Sequence, residues 1–135
     1  MTNPRFLNPQ TIAPPPGHGY THVVETGPGR TIYIAGQLGL DHDGRLAGEP
    51  GDFRAQAEQA FANLRAALDA VGAGFEHVVK VSNFLTDIRH LPILRDVRNA
   101  YFNIAAPPAS TTVAVVALAR EGALFEVEAI AVLPA

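Results

Sequence analysis

Between Asp52 and Val71 the apolar positions Phe53, Ala57, Ala60, Phe61, Leu64, Ala67, Leu68 and Val71 recur at steps of three and four. This spacing predicts a helix bounded by Asp52 and Gly72. The β-branched run Val78 to Leu85 predicts a strand. A second helix is expected after Asp87, with Leu91, Leu94, Val97 or Arg98, and Tyr101 on one stripe. It must stop before Pro107-Pro108, because the residue preceding a proline is driven out of helical conformation. Two further strands follow, Thr111 to Leu118 and Leu124 to Leu133, joined by Ala119-Arg120-Glu121-Gly122. Upstream, the short runs His22-Val23-Val24-Glu25 and Thr31-Ile32-Tyr33-Ile34-Ala35 flank Gly27-Pro28-Gly29-Arg30 and read as a hairpin. Residues 41 to 52 form a polar connection with a tight turn at Asp43-Gly44 and a short strand around Leu46. Residues 1 to 19 hold five of the eleven prolines and are extended, either as an arm laid on the domain or as a loose tail.

This order of elements predicts an α+β fold in one domain over residues 1 to 135, a mixed sheet of about six strands with two helices packed on one face. Two helices leave the other face bare. In the strand from Thr111, however, Val113, Val115 and Ala117 alternate with Ala114, Val116 and Leu118, so both faces are apolar. Exposing such a face costs roughly 25 cal/mol per Å². A homo-oligomer whose sheets face each other would supply the missing cover. No internal repeat is evident.

Charge and composition narrow the function. The 135 residues are 47% apolar and 17% charged, with a net charge of −3, so there is no positive excess to bind nucleic acid or anionic lipid. Without cysteine there is no disulfide, thiolate nucleophile or cysteine-ligated metal. The chain has no apolar run long enough to span a membrane and no signal-peptide core after Met1-Thr2-Asn3-Pro4-Arg5, so a cytoplasmic protein is expected. Histidines 18, 22, 42, 77 and 90 show no metal-ligand spacing, and neither metal nor cofactor is expected. Gly27-Pro28-Gly29-Arg30 lacks the Lys-Ser/Thr of a phosphate loop. Lys80, the single lysine, is expected to face outward or into an interface.

The segment Phe125-Glu126-Val127-Glu128-Ala129-Ile130-Ala131-Val132 places Glu126 and Glu128 on one strand face with Leu124, Ile130 and Val132. A carboxyl group held out of water beside a like charge becomes a usable proton donor or acceptor near neutral pH. The alternative is a pair of acids at a sheet edge or bound to an arginine across an interface. Gly36-Gln37, at the end of an apolar strand, offers backbone N–H groups where a ligand can approach closely. Ser110, Thr111 and Thr112 put three hydroxyls at a strand start, suited either to holding a carboxylate or to capping backbone. Tyr20 is either a pocket wall or the hydrophobic lead-in to the first strand.

Taken in order, Ile32-Tyr33-Ile34-Ala35-Gly36-Gln37-Leu38-Gly39, the helix around Ala57-Glu58-Gln59-Ala60 with Asn63-Leu64, Val78 through Asp87, Pro108-Ala109-Ser110-Thr111 and Glu126 through Val132 resemble the RidA/YjgF family. The resemblance covers about residues 20 to 133. It implies a chorismate-mutase-like fold and a homotrimer whose sheets form a central barrel, with three ligand sites between subunits. Its best-known members hydrolyse imines and enamines to 2-keto acids and ammonia without a cofactor. By that resemblance Glu126 positions the attacking water, while Tyr20, Ala35, Gly36, Gln37, Phe84, Ser110 and Thr112 line the substrate site.

The sequence departs from the family pattern where an arginine normally follows Pro-Ala to bind the substrate carboxylate, for here the residue is Ser110. Ala35 stands where the deaminases often carry serine. Arg98 either supplies the lost charge from the second helix or is a solvent-exposed helix arginine. The expected protein is a trimer binding a small imine, enamine or keto-acid metabolite, with hydrolysis at the C=N bond; a pathway-specific deaminase of 2-aminomuconate-like compounds is a variant of the same expectation. The alternative is a non-catalytic, regulatory trimer that kept the cleft. Endoribonuclease activity, a label sometimes attached to the family, is disfavoured by the acidic balance and the single lysine.

Overall fold

A computed structural model describes residues 4–17 and 19–135; Met1 to Asn3 and His18 lie outside the described residues. Among the described residues, six strands and two α-helices follow in the order β1 (Arg5–Leu7), β2 (Val23–Glu25), β3 (Gly29–Leu38), α1 (Phe53–Asp69), β4 (Val78–Leu85), α2 (Leu91–Arg98), β5 (Ala109–Ala114) and β6 (Phe125–Pro134). The strands divide into a four-stranded sheet, ordered β3-β6-β4-β5, and a two-stranded β1-β2 ribbon. β6 is antiparallel to both β3 and β4. β4 and β5 are parallel, which requires a crossover, and α2 provides it.

The period of α1 sets its buried stripe of Phe53, Ala57, Ala60, Phe61, Leu64 and Leu68. Its first turn is closed by Asp52, whose Oδ1 accepts a hydrogen bond from Ala55 N at 3.0 Å. This helix packs on β3 and β6, and α2 packs beside it. Beneath them lie Phe125, Val127, Ala129, Ala131 and Leu133 of β6. Phe61 stacks on Tyr101 and Phe125 at centroid distances of 5.1 and 5.7 Å. Glu126, Glu128, Ile130 and Val132 occupy the opposite face of β6, which neither helix covers. Among the described residues no helix is long and apolar enough to cross a membrane.

Three local expectations require correction. The expected hairpin over residues 22 to 35 does not form: β2 pairs with β1 of the N-terminal arm, in the register Arg5↔Glu25 and Leu7↔Val23. Tight hairpin turns need positive φ, and neither Gly27 nor Gly29 has it. The Pro-rich segment is therefore an arm laid on the domain, held by His22 N donating to Asn8 Oδ1 at 2.8 Å and by a 2.7 Å bond between His22 Nε2 and Ala13 O. The strand expected to reach Leu118 ends at Ala114. Its partner β4 stops at Leu85, and after Val115 N donates to Leu85 O at 2.7 Å the chain leaves the ladder with Val116 fully exposed. The turn at Asp43-Gly44 is present, with Gly44 at φ 79°. Around Leu46 there is a single bridge to Leu40 in place of a strand.

Candidate functional site

One group of the expected residues gathers on the helix-free face. Along β3 and β6, Ile34 pairs with Ala129 and Gln37 with Val127, so Ala35 and Gly36 together stand opposite Glu128. This is a β-bulge, which takes backbone groups out of the ladder and frees them for other partners. Gln37 Nε2 donates to Ala35 O at 3.1 Å across it. Glu126 pairs with Leu38 on one side and Phe84 on the other. A Cβ added at Gly36 would run into the Glu126 carboxylate, so glycine leaves the space the acid occupies. Glu126 is half-buried and has no ion-pair partner among the described residues. Glu128, by contrast, is exposed and lines a cavity of about 550 Å³ with Tyr33, Lys80, Ser82 and Ile130. Lys80 faces this same side, its Nζ donating to Thr111 Oγ1 at 2.7 Å.

A second group lies at the β5 edge, on the helix side. Ser110 and Thr112 are in register with Val81 and Asn83, both buried beneath the helices. Asn83 Nδ2 donates to Ser110 Oγ at 3.4 Å and to Thr112 Oγ1 at 3.2 Å. With their oxygens accepting from Asn83, both hydroxyls keep their own hydrogens to donate elsewhere. They line a cavity of about 380 Å³ with Tyr20, Arg95 and Arg98. Arg98 is 8% exposed and so is not the solvent-exposed helix arginine that was the alternative. Burial, and then the neighbouring Arg95 charge, lower its pKa from the usual guanidinium value. The arm roofs it at Gly19, where a Cβ would come within 3.0 Å of Arg98 Nη2. Thr21 pins the arm there, its Oγ1 donating to Pro107 O at 2.7 Å and its N to Pro108 O at 3.2 Å.

Tyr20, Arg98, Ser110 and Thr112 thus converge, and Ala35, Gly36, Phe84 and Glu126 converge separately, on opposite faces of one sheet; Gln37, in register with the buried Val127, falls on the helix side. A single chain cannot bring both groups onto one small ligand. Three amides to which the sequence pattern gave no role hold these groups in place. Gln56, buried in α1, donates to Gly122 O at 3.1 Å and accepts from Leu124 N at 2.8 Å, fixing the entry to β6. Asn63 donates to the carbonyls of Leu38 and Leu40 at 3.0 and 2.8 Å, fixing the exit from β3. Asn83 orients the two hydroxyls. A polar residue within an otherwise apolar strand or helix stripe was the available signal for Gln56 and Asn83.

The crossover unit β4-α2-β5 joined to an antiparallel β3-β6 pair is an architecture shared with Rid proteins of known structure. The crystal structure of YyfB from Yersinia pestis, a protein of unknown function in the conserved Rid family, superposes with a TM-score of 0.87 at 34% identity, covering 97% of this chain and 99% of that one. Residues 10–133 match the family model described as Endoribonuclease L-PSP, and the chain belongs to this family, the RidA/YjgF family. Among its relatives, protein DfrA of Myxococcus xanthus is 40% identical over 124 residues, 92% of this chain and 88% of DfrA. The 2-iminobutanoate/2-iminopropanoate deaminase of Bos taurus is 42% identical over 104 residues, 76% of this chain and 73% of the relative.

Proposed function

We propose that the protein is a homotrimer that hydrolyses small imines or enamines to carbonyl compounds and ammonia in clefts between its subunits. The observation that carries this reading is the placement of Glu126 and the Arg98-Ser110-Thr112 group on opposite sheet faces, where a cleft between two copies can unite them. The helix-free face, with Tyr33 78% exposed, is the natural contact between copies and the wall of a central barrel. In the proposed reaction a water adds to the C=N carbon, Glu126 takes its proton and passes it to the nitrogen, and the resulting carbinolamine loses its hydroxyl proton as the C–N bond breaks, giving the carbonyl compound and ammonia. The chemistry needs a positioned water and one carboxylate, supplied by the chain itself. The family's relatives named as 2-iminobutanoate/2-iminopropanoate deaminases support the reading.

Ser110 in place of the family arginine favours one competing reading, a trimer that binds such metabolites without turning them over. Ammonia release from freshly generated 2-iminopropanoate and 2-iminobutanoate decides between them. The natural protein is expected to accelerate release and Glu126→Gln to abolish it, with the oligomer unchanged by size-exclusion and light scattering. Saturable binding of a keto acid without turnover would establish the competing reading.

A further inference from the structure

Arg98 is an unusual use of an arginine: a residue 8% exposed, with no carboxylate to neutralise it among the described residues. The described arginines whose side chains donate hydrogen bonds are Arg5, Arg89 and Arg120, so the side chains of Arg98 and its neighbour Arg95 have no hydrogen-bond acceptor among the described residues. Placement in the last turn of α2 suits both to the helix dipole, but that interaction does not require burying one of them. An unpaired buried charge is costly, and its persistence calls for a counter-charge that binds there.

The cavities around the pair indicate the kind of anion. On one side Arg95 and Arg98 face Tyr20, Ser110 and Thr112, across a space of about 380 Å³. On the other they face Asn99 and Ile104, across a second space of about 360 Å³. Among the described residues, no acidic side chain lines either space. The first is lined by hydroxyls whose oxygens are partly occupied by Asn83, so it presents donors. Two positive charges flanked by two cavities match a ligand with two separated anionic groups better than one with a single carboxylate.

We infer that the Arg95–Arg98 pair selects small molecules with two carboxylates, one held by Arg98 with Ser110 and Thr112 and the second by Arg95. Resting on the function proposed above, this names its substrate class as 2-imino dicarboxylates, and it moves the charged clamp from position 110 to α2. The class of reaction that supplies such a substrate is dehydrogenation or elimination on an amino dicarboxylic acid.

Calorimetric titration of the assembled protein with 2-oxoglutarate and 2-oxopentanoate tests it, since the two share a five-carbon skeleton and differ by one terminal carboxylate. The dicarboxylate is expected to bind about tenfold tighter or more, the scale of one added charge-assisted contact. Arg95→Gln, at an exposed position, is expected to bring the two affinities together. Arg98→Gln is expected to weaken both ligands. Equal affinities in the natural protein, or a preference undiminished in Arg95→Gln, would overturn the inference. Because the readout is binding, its failure is separable: a preference for the dicarboxylate with no imine turnover sinks the hydrolase reading alone. Turnover of monocarboxylate imines with no such preference sinks the clamp alone.

Discussion

The Glu126 carboxylate occupies the space that a side chain at Gly36 would need. The two positions belong to different strands, and the bulge at Ala35-Gly36 brings them together. Gly36→Ala is therefore expected to push the Glu126 carboxylate aside and to destabilise the protein by about 1 kcal/mol, the low end of the range for overpacking because a side-chain end can move, read from the denaturant midpoint. Adding Glu126→Ala in the same chain removes the collision and should recover most of that loss. Additive losses in the double variant would show that the collision is not the cause.

Asn83 is fully buried, and its Nδ2 serves two hydroxyls while its Oδ1 has no partner among the described residues. Asn83→Ala is expected to cost about 1–3 kcal/mol in chemical denaturation, and Asn83→Asp more, because it places an uncompensated charge in the same site. An Asp variant as stable as the Ala variant would mean that the site is wetter than its burial indicates.

Gln56 clamps the entry to β6 from a position 66 residues away in sequence. In Gln56→Ala, Leu124 N loses its acceptor, and amide exchange at Leu124 is expected to accelerate relative to the core of α1. Unchanged exchange at that amide would remove Gln56 from the positioning of Glu126.

Asp87 accepts hydrogen bonds from the Arg89 side chain and from Arg89 N at the start of a single-turn helix, Ile88–His90. The Arg89 side chain, then the backbone bond, hold its carboxyl pKa at about 2, below the ordinary 3.8. A depressed carboxyl pKa stabilises the fold above the ordinary value, and that stabilisation is lost as pH falls from about 4 to about 2. Melting temperatures between pH 5 and 2 are expected to fall less steeply in Asp87→Asn than in the natural protein. Parallel curves would show that this carboxylate does not contribute.

Ser110→Arg places the bidentate donor of the family pattern on β5. Charge-assisted pairs are about twice as strong as neutral ones, so kcat/KM for 2-iminopropanoate is expected to rise on the order of tenfold. An unchanged value would mean that residue 110 does not meet the substrate carboxylate.

Elements whose determinants are local in sequence were legible in the residues themselves. The three-and-four spacing of Phe53 through Leu68 placed α1 together with its Asp52 cap, and the β-branched run at Val78 matched β4 from end to end. The pairing of β2 was not legible, because its partner lies across a proline-rich arm and no turn chemistry announces the contact. The end of β5 depends on where β4 runs out of partners, a property of the sheet and not of the residues from Val115 onward. Glu126, together with Glu128, and Gly36-Gln37 stood out from the strand pattern itself, and the family resemblance supplied their roles. Arg98 could be read two ways because its burial comes from the arm passing over it at Gly19, seventy-nine positions earlier in the chain. The two-faced split of the site is likewise a consequence of register, which composition and spacing do not encode.

That split has a genetic consequence. The proposed cleft, drawing its acid from one subunit and its cation from the next, would make the two functions separable alleles of one gene product. Glu126→Gln and Arg98→Gln chains, each inactive alone, should complement when unfolded and refolded together. In an equal random mixture about a quarter of the clefts inherit both intact halves. A site complete within each chain would give no recovery from the same mixture.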